Sequence, residues 1–502
     1  MKTTDHLKGK EKTMNISIDK ESSIPVYRQI EAAIKKRILS GEYPYGWRLP
    51  SERRLAAIVG VHRNTVIKAY KLLVDQELIS CDFEGRKGYF VIFGKKEDDE
   101  KASRKTAHAV FRYNTNITAC GKIFEDIFEA SFNKDNISFG GHIAPEEIIN
   151  LEHIKDVMDK VISIYGAGAF SYCQAKGDAI LRKQLAIALQ EEGVNTRAGD
   201  VVIINETTHG LEYISNILAG EKDYVVSESP IMPDNYSLFL DNGLQVILAP
   251  MEEDGVDLIQ LEGIFRKYHP KFFHTMPDYH GVTGARMSLE KRYKLIELAD
   301  RYDVPIVEES WCSGINFDGD GLPPLYALDK RQNIIYIDSA LTKFYYGAKI
   351  AFILAPSETA GIIGRQISGT QVHMQKLEQL MFAEYLKAGY HQDRQRAMTE
   401  YYEDKCRKME RAMEPLREMG LSWQSPKGGL GFWCRLPKGI NDMKLYEALR
   451  RRKVLICPGK LFFPGGTEEG GFMRLSFSNI SDANIEKGIS IIYDEIIKQD
   501  RK

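Results

Sequence analysis

Arg63, Asn64, Lys68 and Lys71 fall in a stretch where Val66, Ala69, Tyr70 and Leu73 recur at i, i+3, i+4 and i+7. That period gathers the apolar residues on one helical face and leaves the cations and the amide at the helix start or along the outer side. Guanidinium and ammonium groups suit phosphate oxygens, and a guanidinium or an asparagine amide can pair with base edges, so this face could carry out DNA recognition. An ordinary amphipathic hairpin with a solvated charged face would present the same residues, and the two helices alone leave both readings open.

The elements around that face separate them. Ser51 can cap a preceding helix whose Leu55, Ala56 and Val59 share one side and which Gly60 stops. Upstream, Val26, Ile30, Ile34 and Ile38 repeat every four residues, predicting a third helix from about Pro25 to Ser40 that closes a small core. Downstream, Ile79 to Cys81 and Gly88 to Ile92 read as two strands around a basic tip, Asp82 to Lys87. Residues 24 to 94 hold 12 Lys or Arg against 7 Asp or Glu, a balance of +5 in a chain whose net charge is -2. Positive charge is therefore concentrated where the helix pair lies.

This region resembles the winged helix-turn-helix of the GntR family of bacterial transcription regulators. Leu49-Pro50-Ser51 with Arg53 and Leu55-Ala56, and Arg63-Asn64-Thr65-Val66 with Ala69-Tyr70, fall at the family's spacing. The resemblance implies that Arg48, Ser51 and Arg53 hold backbone phosphates, that Arg63, Asn64, Thr65 and Lys68 face the major groove, and that Arg86 and Lys87 form the wing tip. His62 stands where the family usually has a capping serine, and Glu77 where a glycine often ends the recognition helix.

A chain of 502 residues exceeds such a domain several-fold, so a larger second body is expected. With 43% hydrophobic and 27% charged residues it has a globular composition. Its longest apolar runs are too short to span a bilayer, and residues 1 to 20 lack an apolar signal core, which points to the cytoplasm. Seven scattered cysteines with no Cys-x-x-Cys pair fit reduced thiols and offer no metal spacing. The expected organisation is a flexible arm at 1–23, a DNA-binding domain at 24–93, a mixed-charge linker at 94–114 and an effector body at 115–500.

In that body, β-branched runs alternate with helical patterns. Val201 to Ile204, Tyr224 to Val226, Gln245 to Leu248, Phe272 to Met276, Pro305 to Val307, Ile334 to Ile337 and Ile350 to Leu354 read as buried strands, with helices at His209 to Leu218 and Leu289 to Tyr302. The alternation predicts an α/β fold with a mostly parallel sheet and ligands at the carboxyl ends of its strands. From about Leu380 the pattern becomes a smaller α+β lobe, with strands near Gly431 to Leu436, Val454 to Cys457 and Phe472 to Phe477 and a last helix from Asp482.

Several stretches of the body resemble pyridoxal phosphate-dependent aminotransferases of fold type I, in the form fused behind a GntR-type domain in the MocR subfamily. They are Tyr172 to Gly177 with Leu181-Arg182, Met276 to Gly284 with Met287-Ser288, Cys457-Pro458-Gly459 with Phe462-Phe463, and Arg474-Leu475 with Phe477. Pyridoxal chemistry needs a lysine amine, a carboxylate against the pyridine nitrogen, and a helix amino end with cations for the phosphate. Lys343 is the one lysine near the family's Schiff-base position. It lies six residues before Lys349, where the motif has seven, so the ungapped position is Thr342. A one-residue deletion would restore Lys343 and make Thr342 the phosphate ligand. Glu309 takes the place of the family's aspartate, Trp311 that of a tyrosine, and Lys349 that of the phosphate-clamping arginine. The resemblance thus implies cofactor contacts from Thr207, Tyr279, Glu309, Trp311, Thr342, Lys343 and Lys349, and a substrate carboxylate on Arg474. Glu206 replaces a glycine of the phosphate cup. A carboxylate about 4 Å from one phosphate charge costs roughly 1 kcal/mol in bulk water and more where the site is drier.

The resemblance implies a DNA-binding transcription regulator that dimerises on a double-stranded operator and senses a small carboxylate or amino-acid-type effector, with pyridoxal phosphate as the family's cofactor. The alternatives are a transaminase with an accessory DNA-binding domain, and a regulator whose second body is purely structural.

Overall fold

Ser51 and Gly60 bracket a helix of eight residues, and the chemistry at its two ends explains the limits. In the computed structural model, which describes residues 18–19, 22, 24–40, 42–76, 78–83, 86–93, 119–141, 145–319, 321–370, 375–464 and 471–500, the Ser51 hydroxyl accepts from the Arg54 amide at 3.4 Å. Gly60 ends the helix at φ 72°, the left-handed region that glycine enters at little cost. The chain divides into two compact units, Met1–Tyr113 and Asn114–Lys502.

In the first unit, α1 (Val26–Leu39), α2 (Glu52–Val59) and α3 (Arg63–Asp75) precede a hairpin of β1 (Ile79–Phe83) and β2 (Arg86–Val91). Ile30, Ile34, Leu55, Val66, Tyr70 and Leu73 are buried together, so the three apolar stripes read from the sequence close one core. The hairpin is longer at its tip than the apolar pattern predicts, because Asp82 pairs with Lys87 and Phe83 with Arg86 in the ladder. Glu77 and most of the arm and linker lie outside the described residues.

The second unit is built on an eight-stranded sheet in the order 201–204, 351–354, 334–339, 306–310, 273–275, 224–229, 245–252, 255–256. Strand 351–354 runs antiparallel to both neighbours. The 334–339, 306–310, 273–275, 224–229 and 245–252 strands are mutually parallel, and 255–256 returns antiparallel. The apolar runs therefore locate every central strand, and the helices Thr207–Leu218 and Leu289–Arg301 stand where the 3.6 period predicts. Strand 224–229 continues through Ser227, Glu228 and Ser229, which hydrophobicity does not detect. Hydrogen bonds offset the burial of Ser227 and Glu228: Ser227 Oγ meets His274 Nδ1 at 2.9 Å, and Glu228 accepts from Thr275 Oγ1 at 2.8 Å and Met276 N at 2.9 Å.

The smaller sheet, 422–423, 431–435, 472–476 and 457–458, is antiparallel throughout. It shares one apolar core with the closing helix Asp482–Asp500 and the 24-residue helix Tyr390–Met413. All seven cysteines are free. Among the described residues, no helix is long and apolar enough to cross a membrane.

Candidate functional site

On the first unit, α3 buries Val66, Ala69, Tyr70 and Leu73. Its other side leaves Arg63, Asn64 and Lys68 exposed and Thr65 half-buried. The missing capping serine is replaced in kind: His62 is the N-cap, and its Nδ1 accepts from Asn64 N at 3.3 Å. Arg48, Ser51 and Arg53 are also exposed. Arg63 does not point freely outward. Its Nη2 and Nε lie 2.8 and 3.2 Å from Glu52 Oε2, while Tyr89 OH donates to Glu52 Oε1 at 3.1 Å. The Arg63 hydrogen bond holds the Glu52 carboxyl below its usual range against the effect of burial. Glu52 thereby ties the start of the recognition helix to the wing strand, a role that sequence spacing alone does not reveal. Arg86 and Lys87 belong to β2, but their side chains lie outside the described residues.

On the second unit, a cavity of about 820 Å³ opens at the carboxyl ends of strands 201–204, 306–310 and 334–339. The turn after the first of these delivers Glu206 and Thr207, the second delivers Glu309 and Trp311, and the third delivers Ser339 and Leu341. The helix Ala119–Ser131 contributes Phe124, Glu125 and Phe128, and the strand Phe472–Ser476 contributes Arg474.

Glu309 is the most heavily supported group. Asn235 Nδ2 donates to its Oε2 at 2.8 Å, and His274 Nε2 lies 3.0 Å from the same oxygen. With Nε2 carrying the proton, His274 Nδ1 accepts the Ser227 hydroxyl, so one buried line of hydrogen bonds fixes the tautomer. Burial alone would raise the Glu309 pKa, but hydrogen bonds from His274, Thr207 and Asn235 outweigh it and hold the carboxyl below its ordinary value. Asn235 and His274 carry no local signal in the sequence, since they come from separate elements and meet only in the fold.

Arg474 is 1% exposed. Its Nη1 donates to Gly281 O at 3.0 Å and its Nη2 to Gly140 O at 3.3 Å. Its Nε is buried without a partner. Among the described residues no carboxylate forms an ion pair with it, so its charge is met by carbonyl dipoles and by the faces of Phe462 and Phe124, at 5.2 and 5.8 Å.

Other residues named from the sequence stand elsewhere. Lys343 is buried, but its Nζ lies 2.9 Å from Glu192 Oε2 and it does not line the cavity. It follows the 3-10 turn Ala340–Thr342, in which successive side chains diverge by about 120°. Leu341 therefore faces the cavity while Thr342 and Lys343 turn into the protein. Tyr279 lies under Gly428 and Gly429 and donates its hydroxyl to Asn316 Oδ1 at 2.5 Å, away from the cavity. Lys349 reaches Glu206 Oε1 at 2.5 Å and Tyr346 OH at 3.2 Å. The geometry thus brings together Thr207, Glu309, Trp311 and Arg474 around one space, and sends Tyr279, Thr342 and Lys343 out of it.

Comparison with known proteins agrees with this division of the chain. Residues 26–91 match the bacterial regulatory proteins of the gntR family, and residues 149–492 match aminotransferase class I and II. The uncharacterized HTH-type transcriptional regulator YisV of Bacillus subtilis is 26% identical, with 94% of this chain and 96% of that protein covered. The probable rhizopine catabolism regulatory protein MocR of Rhizobium meliloti is 23% identical over 94% of both chains. The HTH-type regulator TauR of Rhodobacter capsulatus is 25% identical, covering 92% of this chain and 95% of its own. Among solved structures, the α-aminoadipate aminotransferase LysN of Thermus thermophilus superposes with a TM-score of 0.69 at 24% identity, over 74% of this chain and 95% of LysN. The aminotransferase fold is one whose family uses pyridoxal phosphate. The chain belongs to the aminotransferase class I and II family in the form carried by MocR-type regulators, a DNA-binding GntR helix-turn-helix fused to an aminotransferase-like body.

Proposed function

We propose that this DNA-binding regulator works in the cytoplasm as a homodimer on a repeated operator, and that its aminotransferase-like unit senses a small carboxylate or amino-acid-type effector in the 820 Å³ cavity. The observation that carries the reading is Arg474: a buried guanidinium in the cavity wall, one nitrogen unpartnered, with no carboxylate in an ion pair with it among the described residues. A buried charge left on carbonyl dipoles is costly, and an incoming carboxylate relieves that cost, which gives the ligand-bound arrangement a differential free energy. Dimerisation is supported by apolar side chains left in water along the helix Leu151–Tyr165 and just beyond it, where Leu151, Phe170 and Tyr172 are 73, 66 and 79% exposed.

The residues present do not suit covalent pyridoxal chemistry. The lysine expected to carry it is committed to Glu192, and the cation expected to clamp a phosphate is committed to Glu206. This favours the regulator over the transaminase with an accessory DNA-binding unit, and turnover of an amino acid with added cofactor would reverse the preference. The effector reading is tested by operator-binding titrations of the wild type and Arg474→Ala with small carboxylates. The wild type should change its operator affinity on adding the effector and the variant should not. An identical response in both would remove the sensor and leave a structural body.

A further inference from the structure

We propose that the Glu206 carboxylate is a tethered occupant of the cavity's anion position, and that the effector is an unphosphorylated basic amino acid, carrying one carboxylate and two cationic nitrogens. This deepens the effector role proposed above and rests on it.

Glu206 is the N-cap residue of the helix Thr207–Leu218, yet its side chain does not cap that helix. It turns instead onto Lys349, whose Nζ it meets at 2.5 Å, with Tyr346 OH 3.2 Å from the same ammonium. Of the two features that attract an anion here, the positive end of a helix and a nearby cation, the cation is thus already neutralised by a carboxylate of the chain itself, held at the mouth of that helix. A free phosphate would have to displace a group that is covalently held in place, and would then lie beside it. Lys349 supports this arrangement through its backbone, since it sits at φ 51° in the left-handed region and is fixed by the preceding turn.

The rest of the wall points to the complementary ligand. Besides Glu206, whose charge Lys349 meets, Glu125, Glu212, Asp234, Asp241 and Glu309 line the cavity, while among the described lining residues Arg474 is the one cation. A dianionic or dicarboxylate ligand would set its second negative group among these side chains. A ligand with a single carboxylate for Arg474 and positive charge at its other end meets favourable groups throughout. Glu309 is the fixed end of that match, because its His274 and Asn235 bonds hold the carboxylate in place before any ligand arrives. Asp234 stands on the Arg474 side, where the ligand's α-ammonium would lie: burial raises its pKa, the nearby Arg474 lowers it, and a cation bound beside it would favour its ionised form. Trp311, Phe124 and Tyr346 in the same wall supply apolar and aromatic surface for an alkyl stem. A cavity of about 820 Å³ accommodates such a molecule without a cofactor.

The test is calorimetric titration of the full-length chain with L-lysine, L-arginine, L-glutamate, putrescine and pyridoxal phosphate. Lysine or arginine should bind at least tenfold more tightly than glutamate, which adds a carboxylate, and than putrescine, which lacks one. Once unbound pyridoxal phosphate is removed, the wild type should retain no protein-bound absorption band, and E206G should raise its affinity at least tenfold. E309Q should weaken the basic amino acid at least tenfold while the thermal midpoint shows the variant folded. A retained protein-bound band with the wild type, glutamate binding as tightly as arginine, or putrescine binding as tightly as lysine would overturn this ligand class and leave the sensor reading standing. Binding of none of the five probes would overturn both.

Discussion

Arg292 is fully buried, and its removal offers a sharp test of how the cavity wall is held. Its guanidinium faces the Asp278 carboxylate with both terminal nitrogens, donates to Met287 O at 3.1 Å through Nε, and reaches Pro323 O at 3.0 Å. These bonds hold the turn Pro277 to Gly281, whose last carbonyl accepts from Arg474. Arg292→Met keeps most of the volume but leaves Asp278 buried, with only Arg286 nearby at 3.8 Å. Breaking a buried pair from one side costs about 3 to 5 kcal/mol, because the remaining charge stays desolvated. For a unit of this size, about 1 °C of melting temperature corresponds to 1 kcal/mol, so calorimetry of the full chain should show the larger unit melting about 3 to 5 °C lower. Adding Asp278→Asn removes the orphan charge, and the double variant should recover at least half of the loss. The reasoning fails if Arg292→Met melts within about 1 °C of the wild type, or if the double variant is no better than the single.

Asp338 predicts a pH dependence. Burial pushes its carboxyl up to about 7, with Lys343 opposing the rise. A carboxyl raised in the folded state stabilises fully below its unfolded value near 4, and that contribution is lost as pH rises through about 7. Asp338→Asn should therefore gain in melting temperature relative to the wild type between pH 5 and pH 8, and an unchanged difference would refute the assignment. On the DNA side, Arg63→Ala should weaken specific operator binding by about 1 to 3 kcal/mol if the guanidinium leaves Glu52 for a base edge. Fluorescence anisotropy with operator and scrambled duplexes checks this, since an equal loss on both would assign Arg63 to phosphates.

Much of this protein is written locally. The i, i+3, i+4, i+7 stripe of α3, the Ser51 cap, the Gly60 stop and the β-branched runs of the sheet depend on neighbours within a few residues, so the order of residues determines both units and their elements. Glu309 and Arg474 are legible as site residues only through their match to the aminotransferase motifs, which local periodicity does not supply. What surrounds them is not. Ser227, Asn235 and His274 belong to three separate elements and converge around Glu309 only when the parallel strands pair. Lys343 is a candidate amine in the sequence and an ion-pair partner in the fold, because one 3-10 turn rotates it towards Glu192, 151 residues earlier. The exchange of a phosphate site for a Glu206 to Lys349 pair likewise joins positions 143 residues apart. Sequence periodicity determines which face of each element is apolar, but the partners of a buried charge come from whatever the packing brings within 3 Å, and that is a property of the tertiary structure alone.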